Sequence, residues 1–253
     1  MKFFPRLLLA AIGIGIGIVI WVSWPKPTAL QLLERSASQG DAEAQDGLAG
    51  IYNDGQGVPK DYAKAAHWYE KAADQGNADA QDMLAGLYQN GDGVDQQDDQ
   101  AAYWYEKAAV QGNVDAEEQL GYLYYQGDGV PLDYGKAAHW EQKASDQGDA
   151  GAQEALATLY DQGQGEPHDE TKAAFWFRKA ADQGVIAAQG SLGDLYALGR
   201  GVPQDYVQAY KWYDLAAGFG FPDYAQRRDE VASKMTPAEI ADAQHLASSW
   251  KQK

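Results

Sequence analysis

"YNDGQGVPKDYAKAAHWYEKAADQG", residues 52–76, decides the fold, because the chain says it again. Residues 88–112 read "YQNGDGVDQQDDQAAYWYEKAAVQG", and three more versions follow. Gly40, Gly76, Gly112, Gly148, Gly184 and Gly220 mark a constant step of 36 residues. The same step carries Leu48, Leu84, Leu120, Leu156 and Leu192, then Tyr52, Tyr88, Tyr124, Tyr160 and Tyr196, then Trp68, Trp104, Trp140, Trp176 and Trp212. A period of this size signals a solenoid, in which each unit covers its apolar face only with its neighbours.

Every unit reads as two helices. Ala44, Leu48, Ile51 and Tyr52 fall at i, i+4, i+7 and i+8, one apolar stripe. Asp41, Asn77, Asn113 and Asp149 stand where an N-cap oxygen meets free backbone N–H groups, and Val185 breaks that column. Gly55 and Gly57 end the first helix, since a left-handed C-terminal position favours glycine. Ala65, Trp68, Tyr69 and Ala72 form the stripe of the second helix, capped by Asp61, Asp133, Asp169 and Asp205, with Gln97 in that column of the second unit. Outside the repeat, residues 28–40 read as a half-unit helix, and residues 221–253 as two capping helices. Thr236, Pro237 and Glu239 give the last helix a capping box with proline at its first position.

These residues resemble the Sel-one-like repeat, a relative of the tetratricopeptide repeat. Its spacing A-x-x-x-L-G-x-x-Y-x-x-G-x-G-V-x-x-D-x-x-x-A-x-x-W-Y-x-x-A-A-x-x-G is met by Ala188 to Gly220. Gln97, Glu141, Glu166 and Phe177 depart from it in single units. The resemblance implies an all-α, right-handed α-solenoid of five repeats (41–76, 77–112, 113–148, 149–184, 185–220). It also implies a scaffold for protein partners, in bacterial envelope, signalling or secretion processes. One cysteine-rich branch of the family is linked to β-lactam hydrolysis, so a peptidoglycan- or β-lactam-handling hydrolase is the alternative. This chain has no cysteine.

Residues 1–26 differ in kind. Leu7 to Trp24 carries no charge and as a helix spans roughly 27 Å, close to a hydrocarbon core of about 30 Å. Trp21 and Trp24 stand where a signal peptidase needs small residues, which favours an uncleaved anchor over a cleaved signal sequence. Lys2 and Arg6 precede the span, so the expected protein is single-pass in an inner membrane, with its repeats periplasmic or otherwise extracytoplasmic.

The net charge of −17 argues against nucleic acid and against docking on anionic lipid. The G-x-G loops lack the lysine, serine and preceding strand of a phosphate cradle. His67 and His139 share a column but lie two units apart, too far for one metal. No catalytic residue, cofactor or metal site is expected. The candidate surface is instead the first-helix face turned away from the packing stripe. There Asp46, Asp82, Glu118 and Glu154 form an acidic ladder that stops at Gly190, and Tyr122 and Tyr125 add aromatic rings in the third unit. Aromatic anchors flanked by charge suit a recognition surface, and the matching partner is a protein or peptide with a basic segment. The plainer reading is a solvated face whose tyrosines cover a gap.

Overall fold

The computed structural model describes residues 28–252. Among them lie thirteen helices and no strand. A starting helix, α1 (Ala29–Ser38), precedes five hairpins: α2 (Ala42–Asp54) with α3 (Tyr62–Asp74), α4 (Ala78–Asn90) with α5 (Asp98–Ala109), α6 (Val114–Gln126) with α7 (Tyr134–Asp146), α8 (Ala150–Gln162) with α9 (Glu170–Asp182), and α10 (Ile186–Leu198) with α11 (Tyr206–Ala217). Two helices close the stack, α12 (Pro222–Ala232) and α13 (Pro237–Ser248). Every substantial helix–helix contact joins chain neighbours, except that α13 reaches back to α11. This is the nearest-neighbour packing of an α-solenoid.

Local chemistry sets the helix ends. Asp41, Asn77, Asn113 and Asp149 each accept a hydrogen bond from the backbone N–H three residues on, at 2.7–3.0 Å. Asp61, Asp133, Asp169 and Asp205 do the same for the second helices. Gln97 and Val185 make no side-chain cap. Each first helix ends on a left-handed glycine, such as Gly91 at φ 73°. The glycine two residues later has a separate duty: a Cβ on Gly93 would lie 2.3 Å from the carbonyl carbon of Tyr62, so the loop rides directly on the backbone of the preceding unit.

The alanine columns let helices approach closely, and the leucine column fills the space between them. Leu48, Leu84, Leu120, Leu156 and Leu192 are all about fully buried, each contributing about 1.5–3 kcal/mol by leaving water. Tryptophan burial deepens along the chain. Trp68 and Trp104 are partly exposed, Trp140 and Trp176 are buried, and Trp212 is completely enclosed, with Trp250 of the tail edge-on at 6.4 Å.

A second set of inter-helix ties is polar. Gln81 donates to the Ala73 carbonyl of the preceding unit and accepts from Gln111 at 2.7 Å. Gln45 with Gln75, and Gln153 with Gln183, repeat the arrangement. In the third unit Glu117 takes the place of the glutamine: it accepts from Gln147, but no donation to the carbonyl of Ala109 accompanies it.

No helix among the described residues is long and apolar enough to cross a membrane. The expected span at Leu7 to Trp24 lies outside the described residues.

Candidate functional face

The first helices α2, α4, α6, α8 and α10 contain no lysine and no arginine. Basic residues of the repeats sit on the second helices and in loops, where Lys64, Lys136 and Lys172 lie over the rings of Tyr52, Tyr124 and Tyr160. The first helices therefore supply no counter-charge of their own to the acids they carry. This segregation is readable from sequence, yet a search for repeat columns passes over it because it is a matter of what each helix lacks.

Asp46, Asp82, Glu118 and Glu154 stand on successive first helices, each half-buried. No ion pair among the described residues involves any of them. Burial pushes all four carboxyls up, and neighbouring acids add to it: Asp79 and Glu43 at Asp46, Asp115 and Asp79 at Asp82, Asp149 and Asp115 at Glu118. Asp82 is carried to about 6. Desolvated carboxylates without counter-charges are a standing electrostatic cost that an incoming cation relieves.

Two hollows lie along this face. The larger, about 680 Å3, includes Asp82, Asp115, Met83 and Gly86, with Tyr105 at its floor donating to Gln89 at 2.9 Å. The smaller, about 350 Å3, brings Glu118 and Tyr122 of α6 together with Glu154 of α8 and Glu141 of α7. Tyr122 is 47% exposed. Asp46 and Tyr125 line neither hollow. Tyr125 is half-buried and sets its ring edge-on against Tyr134 at 5.4 Å, so it packs across the hairpin instead of joining Tyr122.

Glu141 escaped the search for site residues because it reads as one tolerated exception in an aromatic column. Tyr69, Tyr105, Phe177 and Tyr213 occupy that column in the other units. Here a carboxyl, 3% exposed, replaces a ring. Its Oε2 has no hydrogen-bond partner. Gly121 makes room for it, since a Cβ there would come within 2.6 Å of Glu141 Oε1; Gly151 likewise leaves space for Glu118. Burial, followed by Glu118, Asp149 and Glu154, pushes Glu141 up to about 9.

At the C-terminal end the same face is already filled. Tyr224 of α12 lies over Gly190, where the ladder stops, and a Cβ on that glycine would strike its ring. Arg227 pairs with Asp194, which also accepts from the Tyr213 hydroxyl at 2.6 Å. Among the described residues no cluster of histidine, aspartate and glutamate has the geometry to hold a metal ion.

Among known proteins, the model of the Sel1 repeat matches six segments, residues 26–41, 42–77, 78–113, 114–149, 150–185 and 186–218. The chain is similar to a Sel1 repeat protein of Oxalobacter formigenes, at 31% identity over 88% of this chain and 92% of that one, with a TM-score of 0.72. It is also similar to a protective antigen of uropathogenic Escherichia coli displaying an SLR fold, at 32% identity and a TM-score of 0.60. That likeness covers 87% of this chain but 55% of the antigen, so the chain spans little more than half of that relative. No curated protein matches. With six matched segments running without a break from α1 to α11, the chain belongs to the Sel1 repeat family.

Proposed function

We propose that the chain is a binding scaffold whose first-helix face captures a basic segment of a protein partner, and that the stretch Leu7 to Trp24 tethers it to an inner membrane with the repeats on the extracytoplasmic side. The observation that carries the reading is the run of half-buried, unpaired carboxyls from Asp46 to Glu154 on helices that contain no cation. In this reading the solenoid winds right-handed and presents the ladder on its inner curve. The membership in a repeat family supports binding over hydrolysis.

A fluorescently labelled peptide alternating arginine with glycine tests it by anisotropy on residues 28–253. Binding is expected to saturate and to weaken with salt. Replacing Asp82, Glu118 and Glu154 by their amides should abolish it. Replacing Asp74, Glu106 and Asp146, three exposed acids of the second helices, removes as much charge and should leave it nearly intact. Equal losses from both sets would reduce the interaction to net charge and sink the proposal. For the tether, a C-terminal alkaline phosphatase fusion should be active and remain with membranes; an inactive fusion would reverse the orientation.

A further inference from the structure

The third unit departs from its neighbours at two facing positions. Where the first and second units set a tyrosine of the second helix over a glycine of the first (Tyr69 over Gly50, Tyr105 over Gly86), this unit carries Glu141 facing Gly121. The missing ring reappears on the opposite helix as Tyr122, displaced outward to the rim of the hollow. The exchange leaves a polar-floored recess with an aromatic lip. Buried polar groups in folded proteins find partners, and Glu141 Oε2 has none. Glu118 and Glu154 reach the same recess from α6 and α8.

The fifth unit shows what such a place takes. There Asp194 stands one helical turn from the end of the ladder and receives the guanidinium of Arg227 from the protein's own tail, beside the hydroxyl of Tyr213. An acid, a phenol and an arginine from a separate helix make up that contact. The third unit offers acids and a phenol with no arginine.

Resting on the binding reading above, we infer that the recess formed by Glu118, Tyr122, Glu141 and Glu154 is a specific seat for one arginine side chain of the partner, with Glu141 as its buried acceptor. A guanidinium fits because its planar donors can serve several carboxylate oxygens at once and its face can lie on the Tyr122 ring. The groups facing Glu141 are Glu118 from α6, Asp149 at the N-cap of α8 and Glu154 from its second turn, all acidic. In the empty recess Glu141 therefore holds its proton at neutral pH. Entry of the guanidinium ionises it, and one proton leaves to solvent for each arginine bound.

The probe is the blocked tripeptide acetyl-Ala-Arg-Ala-amide, with its lysine and citrulline counterparts. The side-chain carboxyl carbon of Glu141 is followed by nuclear magnetic resonance through a pH titration. With saturating arginine peptide its midpoint should fall from about 9 to below neutrality. The citrulline peptide should leave it unmoved, and Glu141→Gln should weaken arginine-peptide binding at least about tenfold. Glu141→Phe, the residue its neighbour carries as Phe177, fills the recess and should abolish binding of the arginine peptide in a folded protein. An unmoved midpoint, or full affinity in Glu141→Gln, overturns the seat. Equal response to the lysine peptide overturns the choice of arginine. The scaffold reading stands or falls separately: the longer arginine–glycine peptide would still bind through Asp82, Glu118 and Glu154 if the seat alone were wrong.

Discussion

The middle of the array and its C-terminal end are built from the same columns but differ in who completes them. In the fifth unit Trp212 is sealed by Trp250, Gly190 is covered by Tyr224 and Asp194 is paired with Arg227. In the second to fourth units the corresponding face keeps Asp82, Glu118 and Glu154 half-buried and without counter-charges. The chain's own tail thus covers this face in the fifth unit and leaves it exposed in the second to fourth. The difference lies in the kind of partner: Asp194 has an arginine from the tail, whereas Glu118 and Glu154 have only the neutral donors Gln119 and Thr158.

The sharpest challenge to that contrast is at the closed end. Trp212→Ala removes a fully buried ring and should cost about 3–5 kcal/mol in chemical denaturation, whereas Trp68→Ala, partly exposed in the first unit, should cost visibly less. Equal costs would mean that the tail seals nothing.

The next effect belongs to the open middle. The folded protein keeps Glu141 protonated up to about 9, while the unfolded chain releases that proton near the ordinary 4.5. Unfolding therefore gives up a proton between these values, and the stability of the protein falls as pH rises across that window, by at most about 1.4 kcal/mol per unit. Glu141→Gln should remove this slope, so its advantage over the parent should be small at pH 5 and grow by pH 8. Parallel melting curves for the two proteins at every pH would mean that the carboxyl is already satisfied.

The smallest effect tests the pairing itself. Arg227 is nearly half exposed, so Arg227→Ala should cost no more than about 1 kcal/mol and the loss should shrink in high salt. A much larger penalty would make Arg227 a structural keystone and weaken its value as a guide to what the open recess accepts.

Much of the fold is legible in the residues because packing repeats itself. The 36-residue columns, the aspartate and asparagine caps and the paired glycines each solve the same local problem in every unit, so five copies announce the answer. The glutamine ties were not legible in that way, since Gln45, Gln81 and Gln153 are polar residues inside a stripe sought by its apolar members. The candidate face was only half readable. Asp82, Glu118, Tyr122 and Glu154 do reach hollows, but Tyr125 turns to Tyr134 because a ring at that position finds a neighbour across the hairpin. Glu141 depends on residues of two adjacent units, and Arg227 lies outside the repeat register altogether. Periodicity reports what recurs, and both of these matter because they occur once.

A solenoid is also a spring, and Glu117 marks its soft coil. Elsewhere a buried amide donates to the end of the preceding unit; at the junction of the second and third units Glu117 has no such donor, and a longer bond from Gln147 to the Gly112 carbonyl, 3.4 Å, crosses in its place. Flexing under load should concentrate at this junction. The hollow at Asp82 straddles it, with Met83 and Gly86 on one side and Asp115 on the other, so a partner seated there would fix the angle between the two units, and tension on the array would pull the walls of that hollow apart.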